Sequence, residues 1–111
     1  MYVTHLPHFL DKNGELPPEL PGPARRLATR LCAIVQAVTT EDLDESDITT
    51  AVCCRRRPGH VPCKQPLMGG YDLDDARMVY WYCPRCGDDG VITGWEKTRW
   101  DARPYLEVVE E

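Results

Sequence analysis

Between Ala24 and Val38 the apolar positions recur with a helical period. Ala24, Leu27, Leu31, Ile34, Val35 and Val38 fall on one stripe, and Arg25, Arg26, Thr29 and Gln36 fall opposite. This pattern predicts an amphipathic helix. Pro23 marks its start, because proline's missing N–H costs nothing in the first helical turn. The stripe needs a partner surface, and a sheet is the expected one, with a dimer seam as the other way to cover it. Cys32 lies off the stripe between polar neighbours and reads as a plain small residue.

Downstream the period changes from 3.6 to 2. Ile48 to Cys54 is β-branched and reads as a strand, closed by the turn residues Pro58 and Gly59. Val61 to Met68 is expected to be a second strand, broken by proline and suited to a sheet edge. Gly69 to Asp75 reads as a loop. Arg77 to Cys83 is the clearest strand: Met78, Tyr80 and Tyr82 share one face, and Val79, Trp81 and Cys83 the other. Gly90 to Trp95 is expected to be a further strand, with Trp95 and Trp100 folding back over the sheet. The expected fold class is α+β, one amphipathic helix packed on a small antiparallel sheet. Residues 1–22 form a Pro-rich arm, with Leu6, Phe9, Leu10, Leu16 and Leu20 available to pin it. Residues 23–111 form a single helix-plus-ribbon domain.

Composition sharpens this picture. A chain of 111 residues buries a modest core, and one Phe against ten Pro makes that core thin, so a covalent or metal staple is expected. The net charge is −5. Four thiolates around one divalent cation would take it to −5 − 4 + 2, about −7. An acidic total argues against a general nucleic-acid binder without excluding a local basic patch. The acids between Thr39 and Asp47 lack the alternating ligands and turn glycine of a calcium loop and read as a solvated linker. No signal peptide and no membrane-length apolar run is evident, so a reduced, cytoplasmic setting is expected, and with it free thiols rather than disulfides.

The six cysteines carry the chemistry. In Tyr82-Cys83-Pro84-Arg85-Cys86-Gly87, two cysteines flank Pro-Arg and a glycine follows. That is half of a zinc knuckle: the tight turn aims both thiolates at one point, and the glycine lets the chain bend back with its amides facing sulfur. Some twenty residues upstream, Cys63 follows Pro62 and is the first ligand of the other pair. Its partner is open among His60, which gives a His-x-x-Cys spacing, Cys54 at a strand end, and Cys53, which would point to the opposite face. Four protein ligands leave no position for water or substrate, so such a site is structural. Cys-Pro-Arg-Cys is also a redox spacing, but that chemistry belongs at a helix N-terminus, and Gly87-Asp88-Asp89-Gly90 is turn chemistry.

Cys54-Arg55-Arg56-Arg57-Pro58-Gly59, Pro62-Cys63 and the run Cys83-Pro84-Arg85-Cys86-Gly87-Asp88-Asp89-Gly90-Val91-Ile92-Thr93-Gly94-Trp95 resemble a group of small bacterial proteins with an N-terminal helix and a zinc-ribbon-like C-terminal region. The resemblance covers about the last sixty residues closely and the helix loosely. It implies a Zn²⁺ held by Cys54, Cys63, Cys83 and Cys86, with arginine common at the position of His60. It implies no activity.

Arg55, Arg56, Arg57, Lys64 and Arg85 are expected to crowd one end of the ribbon. They would either neutralise the thiolates or contact phosphate beside Tyr80, Trp81, Tyr82 or Trp95. No catalytic constellation is evident. Asp88 and Asp89 have no nucleophile or poised histidine beside them, and His5 and His8 lie in the arm. The expected function is therefore a non-enzymatic zinc module that binds a protein partner. A nucleic-acid-binding ribbon using the basic cluster is the alternative, and no membrane or small-molecule substrate is implied.

Overall fold

In a computed structural model the structure describes residues 2–40, 47–72, 78–96 and 98–102. Strand β1 (Tyr2–His5) leads into a 3-10 turn at Leu6–Phe9, and helix α1 spans Gly22–Thr40. Strands β2 (Ile48–Cys53), β3 (Pro66–Asp72), β4 (Met78–Tyr82) and β5 (Asp89–Thr93) follow, with a second 3-10 turn at Pro58–His60. The strands form one sheet in the order β1-β5-β4-β3-β2. The fold is α+β as expected, one helix on one sheet, but the sheet is mixed rather than antiparallel. β1 runs parallel to β5, pairing Val3 with Val91 and Thr4 with Ile92. The arm thus supplies an edge strand, and Leu6 just beyond it is fully buried. None of the described helices is long and apolar enough to cross a membrane.

The helix lies over the sheet through Ala28, Leu31, Cys32, Ile34, Val35, Val38 and Thr39, all buried. This face differs from the expected stripe at its margins. Cys32 is 2% exposed and Leu27 is 40% exposed. Positions 28, 32, 35 and 39 stack at spacings of three and four, so Cys32 sits mid-face once the sheet is in place. Small polar side chains can occupy such a face when their polar atoms find partners. Thr39 does so: its hydroxyl donates to the Val35 carbonyl (2.7 Å) and accepts the Ala102 N–H (2.8 Å), tying the C-terminal segment to the helix. The Thr40 hydroxyl similarly donates to Gln36 O at 2.6 Å, and the helix runs two residues past Val38.

The largest departure concerns β3. Expected as a proline-broken edge strand followed by a loop at Gly69, it instead sits inside the sheet between β2 and β4, with Gly69 and Gly70 paired to Trp81 and Tyr80. Pro66 opens the strand, the position where its missing N–H does least harm. The glycines serve close approach rather than a turn. A Cβ on Gly70 would lie 2.5 Å from the Tyr80 hydroxyl, and one on Gly69 would lie 2.7 Å from the Tyr80 carbonyl. Gly90 on β5 makes the same room for the Trp81 ring, where a Cβ would meet Cζ2 at 2.6 Å. The alternation of β4 holds: Val79 and Trp81 are buried toward the helix side with Leu67, Ile92 and Trp95. β5 ends at Thr93, and Gly94 turns the chain at φ +71° so that Trp95 is fully buried. Trp100 packs half-buried against this core.

The opposite face of β4 holds a contact that the acidic run did not suggest. Asp47 accepts hydrogen bonds from both the Tyr80 and Tyr82 hydroxyls, each at 2.6 Å and one to each carboxylate oxygen. One acid of the expected linker is thereby bound to the sheet. Residues 41–46 of that linker, like 73–75 of the expected loop, lie outside the described residues.

Candidate metal centre

Two hairpin ends meet at one end of the sheet. β2 ends at Cys53, which pairs with Pro66, and the ladder continues one step through the Cys54 N–H to the Gln65 carbonyl (2.8 Å). The excursion between them closes on itself through the Cys63 N–H to Arg56 O (2.8 Å). Cys54 and Cys63 are thus anchored by backbone on adjacent chains. At the other hairpin, Cys83 donates its N–H to Asp88 O (2.8 Å) and accepts that of Gly87 on its carbonyl (2.9 Å). This closes the Cys83–Gly87 turn, with Gly87 at φ +77°. A left-handed backbone there is open to glycine at no steric cost.

The backbone donors point at sulfur. Arg56 N–H faces Cys54 Sγ at 3.4 Å, and Cys86 N–H faces Cys83 Sγ at 3.2 Å. A third, from Gln65, faces the Cys63 sulfur, with Lys64 turned to φ +56°. Amides aimed this way stabilise thiolate over thiol.

The result is a compact sulfur cluster. The Sγ atoms of Cys54, Cys63, Cys83 and Cys86 all lie within 4.8 Å of one another, and Cys63 and Cys83 approach to 3.7 Å. Zn–S bonds of about 2.3 Å in a tetrahedron put the sulfurs about 3.8 Å apart, so the donor set fits one tetrahedral ion. Cys54, Cys63 and Cys83 are buried and Cys86 half-buried. All four are free thiols.

Their protonation explains why a cation suits the cluster. The Gln65 amide, ahead of hydrogen bonds from the neighbouring thiols, lowers Cys63 to about 7. Hydrogen bonding to Cys63 raises Cys86 to about 12, and burial raises Cys54. Thiols this close resist ionising together, since each further thiolate adds to an unbalanced charge. A divalent cation reverses that repulsion and draws off the remaining protons.

The other expected ligands stand apart. His60 is exposed, sits at φ +68° in the second 3-10 turn and does not join the sulfur group. Cys53 is exposed, and Cys32 is in the helix–sheet core, where burial raises its thiol to about 12. Arg55, Arg56, Arg57, Lys64 and Arg85 are all exposed. Two of these make contacts around the site: Arg56 lies 3.6 Å from the Asp88 carboxylate, and Arg57 donates to His60 O at 3.2 Å. Arg30 of α1 reaches across to donate to the Cys53 carbonyl at 2.6 Å, a contact no sequence spacing announces. No family model matches the chain, and no curated protein or solved structure matches it either.

Proposed function

We propose that Cys54, Cys63, Cys83 and Cys86 hold one Zn²⁺ as a closed structural centre, and that the chain is a non-enzymatic module that binds a protein partner. The supporting observation is the four-sulfur cluster, its sulfurs all within 4.8 Å of one another and backbone amides facing them. An all-thiolate donor set suits a soft or borderline ion such as zinc over calcium or magnesium. With four protein ligands the ion has no open position for water or substrate, so its work is to fix the two hairpin ends. A reducing compartment such as the cytoplasm keeps these thiols available. This is also the architecture expected of the small bacterial helix-and-ribbon proteins that the C-terminal segments resemble.

The test is metal content by elemental analysis of protein purified without added metal, with the Cys54→Ser and His60→Ala variants alongside. One zinc per chain, lost in Cys54→Ser and kept in His60→Ala, is the expected result. Zinc lost in His60→Ala, or no metal in the native protein with the four thiols paired as disulfides, would overturn the assignment.

A further inference from the structure

The N-terminal half of α1, β1 and the segment after Cys54 enclose a groove of about 340 Å³ floored by Leu27, Leu31 and Trp81. Arg30, Arg55 and Arg56 stand on its walls, with the single acid Asp88. A second hollow of about 560 Å³ adjoins it, sharing Arg30 and Arg55 and adding Arg25, Arg26 and Val52. The two form one continuous surface with five arginines on it, in a chain whose net charge is −5. Among the described residues only Arg56 has a carboxylate partner there, Asp88 at 3.6 Å. Arg25 and Arg30 are held by the backbone carbonyls of Pro17 and Cys53, which neutralise no charge. Burial, and after it the charge of Arg55, lowers the Arg30 pKa, against the opposing pull of Cys54, Asp88 and Cys53. The apolar component is equally open: Leu27 is 40% exposed, and Tyr2, stacked on Trp81 at 6.2 Å, is 56% exposed.

We propose that this surface docks an acidic, amphipathic peptide segment of a partner protein, carboxylates on the arginines and an apolar side chain against Leu27 and Tyr2. The inference deepens the protein-binding reading given above. Guanidinium forks match carboxylates in pairs, and an apolar floor beneath them rewards a ligand that carries both kinds of group. A single-stranded nucleic acid would need exposed aromatic platforms, whereas Trp81 is 7% exposed and Tyr2 stands alone in the groove.

The experiment is fluorescence anisotropy on the full chain as purified, without added metal, with three labelled probes: a short peptide of Glu, Asp, Leu and Trp, the same peptide with Lys for each acid, and oligo-dT. The acidic peptide is expected to bind alone of the three. Its affinity should fall roughly tenfold or more in Arg55→Glu and in Tyr2→Ala, and stay unchanged in Lys12→Glu, which makes the same charge change on the exposed arm. Three outcomes overturn the proposal: no acidic-peptide binding at about 1 mM, equal weakening by Arg55→Glu and Lys12→Glu, or tighter binding of oligo-dT. Zinc content measured on the same samples separates the two readings. Peptide binding without zinc would leave the groove standing and remove the metal centre, and zinc without peptide binding would do the reverse.

Discussion

Cys63 and Cys83 lie 20 positions apart in the chain, yet their sulfurs stand 3.7 Å apart, the edge length of a zinc–thiolate tetrahedron. Each sits on a different hairpin, so an ion bound between them ties β2–β3 to β4–β5. Structural zinc contributes an apparent 10 kcal/mol or so, as much as the whole stability of a domain this size. Cys83→Ser is therefore expected to lose the metal and to melt the strand signal in circular dichroism while leaving part of the helical signal. A variant that stayed fully folded with one bound zinc would show that Cys83 is no ligand.

Metal uptake should depend on pH in a defined direction. Ligation requires thiolates, so affinity rises with pH and acid releases the ion. Cys63, lowered to about 7, has already lost its proton at pH values well above that. Loading the metal-free protein at about pH 8 should then release fewer than four protons per zinc, and more as the pH is lowered through 7. Indicator-dye titration in weak buffer measures this, and four protons released at pH 8 would show that Cys63 is not ionised first.

The six cysteines should fall into three reactivity classes toward a disulfide reagent. Cys53, exposed, reacts at once, and Cys53→Ala removes that phase. The four clustered thiols react only after a chelator is added. Cys32 stays silent until the protein unfolds, because it is buried and its thiol is held up to about 12.

The Asp47 carboxylate raises the pKa of the Tyr82 hydroxyl that donates to it. A raised tyrosine pKa means that the hydrogen bond's contribution is complete below about pH 10, the ordinary value. It is lost as the pH climbs through the higher folded value. Tyrosinate absorbance should show Tyr82 ionising late in the native chain, and in Asp47→Ala its ionisation should move down toward the ordinary range. The loss of two hydrogen bonds to a carboxylate at a half-exposed site should cost about 1–3 kcal/mol in denaturant unfolding. Coincident tyrosine titrations in the two proteins would exclude the contact.

Gly90→Ala is expected to destabilise the sheet by about 1–3 kcal/mol, since its Cβ would sit 2.6 Å from Trp81 Cζ2. Trp81 fluorescence should shift as the ring is displaced. An unchanged denaturation midpoint would mean the ring has room to move aside.

Much of this protein is legible from local pattern. A helix at Ala24–Val38, the alternating faces of Met78–Tyr82 and the Cys83–Gly87 knuckle each follow from spacing within a few residues, where backbone geometry alone decides which side chains share a face. The pairing of Cys54 and Cys63 with the second knuckle was less so, because spacing favoured His60, while Cys54 rested on its place at a strand end and on the resemblance. Strand register decided between them. It turned Cys54 inward and left Cys53 and His60 exposed.

Other features depended on contacts between distant segments. Gly69 and Gly70 look like loop residues until Tyr80 is laid over them, and Cys32 looks peripheral until the sheet covers that side of α1. An N-terminal strand that pairs parallel with β5, across nearly ninety residues, has no local signature. Arg30 lines one groove with Arg55 and Tyr2 only because α1 packs on the sheet where it does. The sequence by itself determined the types of α1, β2, β4 and β5, the helix face to within its margins and the sulfur donors of the second knuckle, since these rest on 3.6- and 2-residue periods and on turn geometry. Tertiary structure alone decided the sheet order and the arginine groove, because each depends on which segments come to lie side by side, and no local period encodes that.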